Sequence, residues 1–66
     1  MAVARVTQIV SSSTKGIDDA MQSAIKRANK TLHGITGLEV TKINAKVEND
    51  KIVEYRVHMN ITFILD

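Results

Sequence analysis

From Ile52 to Leu65 the chain alternates without interruption. The odd positions are Val53, Tyr55, Val57, Met59, Ile61, Phe63 and Leu65, and the even positions between them are Glu54, Arg56, His58, Asn60 and Thr62, with Ile52 and Ile64 at the ends. A strict period of two, rich in β-branched residues and free of Gly and Pro, predicts a half-buried strand. At roughly 3.3 Å per residue its span is about 45 Å, well beyond the usual strand of five or six residues. A second β-branched run, Val3 to Val10, predicts a shorter strand. Its faces are mixed, because Val6, Ile9 and Val10 break the alternation, and Ser11, Ser12 and Ser13 read as the loop that follows.

Between these runs the period changes. Ile17, Ala20, Met21, Ala24, Ile25, Ala28 and Leu32 recur at three- and four-residue spacing, one apolar stripe on a helix of four or five turns. Such a helix spans about 27 Å, too short to cover the final strand. Its three alanines allow a close approach to a sheet. Ser13 is the N-cap candidate, since its hydroxyl can accept from free N–H groups of the first turn. Asp18 and Asp19 stand early and Lys26, Arg27 and Lys30 late, as the helix dipole favours. Gly34 reads as the stop.

Gly37 to Glu48 reads as a middle strand whose pattern changes phase. Leu38 and Val40 share one parity and Ile43, Ala45 and Val47 the other, which predicts a bulge near Thr41–Lys42. Asn49-Asp50 then reads as a two-residue hairpin turn, both residues tolerating positive φ. That turn sets Glu48 against Lys51, Val47 against Ile52 and Ile43 against Arg56. It leaves Ile43, Ala45, Val47 and Ile52 as an apolar patch on the face away from the helix, which predicts a partner surface. A three-residue loop would instead move Ile43, Ala45 and Val47 to the Tyr55 face. The expected architecture is β-α-β-β in the α+β class, a three-stranded antiparallel sheet wrapped on one helix, with residues 1–66 forming one domain.

Composition narrows the function. A chain of 66 residues has a marginal core and needs disulfides, a metal, partners or very regular packing. It has no cysteine, so disulfides and thiolate zinc sites are excluded. His33 and His58 do not form a helix-face metal pair, which leaves self-association. Nine Lys and Arg against seven Asp and Glu give a net charge of +2, too weak to imply nucleic acid. Tyr55 and Phe63 are the only aromatics and lie on the expected core face, against a base-stacking sheet. The N-terminal run lacks the parts of a signal peptide and nothing approaches a membrane span, so the expected location is cytoplasmic. Ser12 and Ser13 have no histidine at a motif spacing. Ser-Ser-Thr-Lys-Gly lacks the glycine spacing of a phosphate loop. With no acid–base or nucleophile constellation in view, the chain does not read as an enzyme.

Gly16-Ile17-Asp18-Asp19-Ala20-Met21, Ala24-Ile25-Lys26-Arg27-Ala28, Glu39-Val40-Thr41-Lys42-Ile43 and the closing run Tyr55 to Phe63 follow one another in an order and spacing that resembles the dodecin family over nearly the whole chain. The resemblance implies a hollow, homo-oligomeric shell of twelve subunits that binds flavins (riboflavin or FMN), stacked in pairs at a two-fold interface, and stores or quenches them without catalysis. By family position the ligand pocket includes Gly37, where the family carries a flavin-stacking tryptophan, and Arg56, where it carries a flavin-contacting glutamine; Glu39 and Glu54 are candidate pocket neighbours. Both departures imply weakened flavin binding, since an aromatic stack contributes about 0.5–1.5 kcal/mol beyond its buried area. Arg56 could engage an anionic ligand, or pair with Glu54, Glu39 or another subunit. The same departures resemble a dodecin variant that lacks flavin and holds calcium. That makes calcium a candidate ion, although Glu39, Glu48, Asp50 and Glu54 are scattered and hard cations need convergent oxygens. The expected function is a dodecin-like shell that stores or buffers a small ligand or ions. The alternatives are an ordinary flavin-binding dodecin and a small nucleic-acid-binding module.

Overall fold

The computed structural model describes residues 3–65. Its elements are β1 (Val3–Ser13), α1 (Ile17–Ala28), β2 (Ile35–Glu48) and β3 (Lys51–Leu65). The sheet order is β1-β3-β2, and β3 pairs antiparallel with both neighbours. This is the expected α+β arrangement, a three-stranded antiparallel sheet with one helix.

The central place of β3 follows from its alternation. Val57, Met59 and Ile61 are fully buried and Phe63 nearly so, each apolar side chain contributing roughly 1.5–3 kcal/mol on leaving water. Above them, Ala20, Ala24 and Ala28 are the buried face of α1. Spaced by four, they stack along one side of the helix, and their small side chains let its backbone lie close to β3. Ile17, Met21, Ile25 and Leu32 flank that contact. The helix packs on β1 and β3 and not on β2.

Four expectations about the segment from Ser11 to Gly34 are corrected. Ser11 to Ser13 are not a loop; they continue β1, opposite Val57, Arg56 and Tyr55, because the long β3 ladder supplies their backbone partners. Ser13 is not the N-cap, a position taken by Gly16 without a side-chain bond. Instead the Ser13 hydroxyl donates to Asp19 Oδ2 at 2.6 Å and accepts from the Lys15 and Gly16 N–H groups at 2.9 and 3.4 Å, tying the strand end to the first helical turn.

The helix has 12 residues, about 18 Å, against the 27 Å expected. It ends at Ala28 because the Lys30 and Thr31 N–H groups bond to Arg27 and Ala28 carbonyls, tightening the last turn into a three-residue pattern. Gly34 is therefore not the helix stop. It sits just before β2 at φ 73°, and its carbonyl accepts from the Ile64 N–H at 3.0 Å. A Cβ there would lie 3.4 Å from the Ile64 carbonyl oxygen.

The hairpin turn is as read: Asn49 and Asp50 have φ of 52° and 64°, the geometry of a tight type I′ turn, with Glu48 opposite Lys51 and Val47 opposite Ile52. The bulge at Thr41 is also present, between Val40 and Lys42. A further bulge overturns the rest of the expected register. Lys46 pairs with Glu54, so Val53 is an extra residue on β3, and Ile43 opposes Val57 instead of Arg56. Opposed residues share a face. Ile43, Ala45 and Val47 therefore lie on the same side of the sheet as the helix, not on the far side.

They are nevertheless exposed, Ile43 by 48% and Val47 by 61%. The structure is 51 Å long, and the hairpin runs on past the end of the helix.

Candidate functional site

On the face of the sheet turned away from α1, β3 presents polar residues because it alternates: Glu54, Arg56, His58, Asn60 and Thr62 point there, beside the exposed Val6 and Val10 of β1, while Val57, Met59 and Ile61 point into the core. The register sets the neighbours. Arg56 lies between Ser12 of β1 and Asn44 of β2, His58 between Val10 and Lys42, and Asn60 between Gln8 and Glu39. The bulge at Thr41 brings Lys42 and Asn44 onto this face, and the Thr41 hydroxyl donates to the His58 carbonyl at 3.2 Å.

Arg56 and Glu54 stand side by side, Nη2 to Oε1 at 3.6 Å, with side chains 55% and 35% exposed. This is the Glu54 pairing among the partners considered for Arg56. It is a long, solvated ion pair of at most about 1 kcal/mol, so the guanidinium keeps donors free. Arg56, Glu54, Asn44 and Lys46 line a shallow recess of about 290 Å³. The Asn44 amide nitrogen and His58 Nε2 approach to 3.5 Å at its margin.

Gly37 is elsewhere. It opposes Thr62, whereas Arg56 opposes Asn44. Thr62 and Arg56 are six residues apart on β3, about 20 Å in an extended strand. Glu39, opposite Asn60, is nearer Gly37 than Arg56. One chain thus groups Arg56 with Glu54 and sets Gly37 and Glu39 apart. Any pocket holding both must take them from different copies. A Cβ added at Gly37 would meet nothing within 4 Å, so the backbone there is open to a larger side chain.

His33 is exposed and stands beyond the helix, one residue before Gly34. Among the described residues no group of three or more His, Asp or Glu is placed to hold a metal ion. No helix of the described residues is long and apolar enough to cross a membrane. Asn44, Lys42 and Lys46 were not singled out by the sequence. The phase change at Thr41 was the available signal, since the bulge decides which β2 side chains join Arg56 and His58.

The family model described as Dodecin matches residues 3–66. The chain belongs to the dodecin family. The dodecin of Thermus thermophilus is 31% identical over 64 residues, covering 97% of this chain and 93% of the relative. Among solved structures, dodecin from Streptomyces davaonensis superposes with a TM-score of 0.91 at 35% identity, over 98% of this chain and 96% of that one. A calcium-chelating immunodominant antigen from Mycobacterium tuberculosis, calcium dodecin, superposes at 0.82 with 22% identity, over 97% and 91% of the two chains. That last likeness is one of dodecin fold alone. The structure is described with a novel calcium-binding site.

Proposed function

We propose that this dodecin assembles into a closed homo-oligomeric shell of twelve copies that binds or buffers a small ligand, without strong flavin affinity and without catalysis. The observation that carries this reading is the overhanging hairpin. Ile43, Val47 and Ile52 are 48, 61 and 53% exposed on a face whose other half is the core. Contiguous apolar surface of that kind marks a contact between molecules.

The placement of Gly37 and Arg56 supports the weakened flavin site. The pair is about 20 Å apart in one chain, so the pocket the family implies forms only between copies. In that pocket Gly37 offers no ring, and Arg56 offers a charged guanidinium already beside Glu54. Neutral isoalloxazine is better served by an indole face and an amide. Calcium fits less well, because Glu39 and Glu54 belong to separate parts of the face. Its oxygens would have to converge from several copies.

The test pairs native mass spectrometry with a flavin titration. The expected result is twelve subunits, little quenching of riboflavin or FMN fluorescence at micromolar protein, and strong quenching by the double variant Gly37→Trp, Arg56→Gln. The open backbone at Gly37 lets that variant fold. Strong quenching by the unmodified chain would restore the ordinary flavin-storage reading. Unchanged affinity in the double variant would show that these two positions are not the pocket.

A further inference from the structure

Charge is unevenly spread on the face of the sheet turned away from α1. Lys42, Asn44 and Lys46 follow one another at every second position of β2, opposite His58, Arg56 and Glu54 of β3, and opposed residues share a face. Lys42 and Lys46 are therefore the diagonal neighbours of Arg56 on β2, about 7–8 Å away and within reach of long side chains. All three cations are exposed, and Glu54 is the carboxylate set among them. In the rest of the chain six Lys and Arg face six Asp and Glu, so this cluster holds the whole net charge of +2.

The cluster has donors to spare. Glu54 reaches Arg56 at 3.6 Å, too long for a hydrogen bond, and among the described residues neither lysine has an ion-pair partner. The recess of about 290 Å³ beside them is lined by Asn44, Lys46, Glu54 and Arg56. At ~30 Å³ per water in the liquid it has room for about ten waters, or for a small solute. Guanidinium, ammonium and amide groups donate there, and among these side chains only the Glu54 carboxylate and the Asn44 carbonyl accept. A planar guanidinium matches an oxyanion through two parallel bonds, and an ammonium beside it adds a point charge. The surplus of two positive charges is neutralised by a dianion and only half neutralised by a monocarboxylate. A phosphate monoester carries about −1.5 to −2 at neutral pH.

We infer that this recess binds a phosphate group, free or carried by a small monoester. Arg56 and Lys46 are its charged contacts, Asn44 is a neutral donor, and Lys42 raises the local potential. The inference rests on the proposed reading of a small-ligand protein without strong flavin affinity, and it names the class of that ligand. Its contacts come from one chain, so the site needs no second copy. Glu54 competes with the anion for Arg56, which keeps binding reversible and suits a buffer better than a permanent store.

The test is calorimetric titration of the unmodified chain at low ionic strength with inorganic phosphate and with glycerol phosphate, acetate serving as the single-charge control, beside native mass spectra of the same samples. Saturable binding of one phosphate per chain is expected, with acetate at least about tenfold weaker. Whichever phosphate binds more tightly identifies the source, free or esterified. Arg56→Gln is expected to weaken phosphate binding by about tenfold or more, and Glu54→Gln to tighten it by about fivefold. Arg27→Gln removes an exposed helix cation outside the cluster and is expected to change nothing. Equal losses in Arg56→Gln and Arg27→Gln, or acetate binding as tightly as phosphate, would overturn the inference, because overall charge would then explain the binding. A twelve-copy particle that takes up neither phosphate would overturn it and leave the shell standing. Saturable phosphate binding by a chain that stays monomeric, lost in Arg56→Gln, would support it while bringing down the shell.

Discussion

Two halves of one sheet carry the same pattern and meet different fates. In the half from Val57 to Phe63, alternate apolar residues lie under three alanines of α1 and are buried. In the half that ends at the hairpin, Ile43, Val47 and Ile52 occupy the same side and stand in solvent. Nothing in residue type separates them. The difference is the reach of a 12-residue helix against a structure 51 Å long. Alternation therefore tells which side of a strand is apolar, while the length of the cover decides whether that side is satisfied within the chain. The unsatisfied half is the surface that the proposed shell would cover.

Truncation should separate the halves most sharply. Ile61→Ala removes a fully buried side chain and should destabilise the fold by about 2–5 kcal/mol in urea unfolding. Ile43→Asp should leave the single chain's circular dichroism intact and instead reduce particle size in native mass spectra. If Ile43→Asp unfolded the chain as Ile61→Ala weakens it, the hairpin would be part of the chain's own core and the contrast would vanish.

A smaller effect is expected where the chain turns into β2. Gly34→Ala forces a Cβ into the left-handed region at φ 73° and beside the Ile64 carbonyl, at about 1–2 kcal/mol. Thermal unfolding measures it, and no change would mean that the backbone there relaxes. Ser13→Ala should cost about 0.5–1.5 kcal/mol, because the hydroxyl joins the end of β1 to Asp19 and to two backbone N–H groups. A loss confined to the helix, seen by hydrogen exchange, would support that tether, and uniform loss would not. Smallest of all, Glu54→Gln should change stability by less than about 1 kcal/mol, since its partner Arg56 is largely solvated. A larger loss would show that the pair is buried between copies.

Much of this was legible in the residues, for physical reasons that differ by element. The strand β3, the helix stripe, the Asn49-Asp50 turn and the Thr41 bulge each leave a local trace: a period, a turn residue or a parity switch. The bulge at Val53 leaves none, because Val53 continues the apolar alternation it interrupts in the ladder. That one residue moved Ile43 and Ala45 to the helix side. The early end of α1 was hidden for a similar reason: Leu32 continues the helical spacing but reaches the core from a turn. Ser11 to Ser13 looked like a loop by type and became strand because β3 had unpaired backbone to offer. At the site, alternation was enough to place Glu54 and Arg56 together. The distance between Gly37 and Arg56 needed the register.

Sedimentation velocity on the dilute, unmodified chain tests the central claim most directly. The overhanging hairpin predicts a particle of many copies that persists on dilution, with twelve as the expected number. A folded species sedimenting as a 7.3 kDa monomer would contradict it, because the hairpin would then be stable with its apolar face in water.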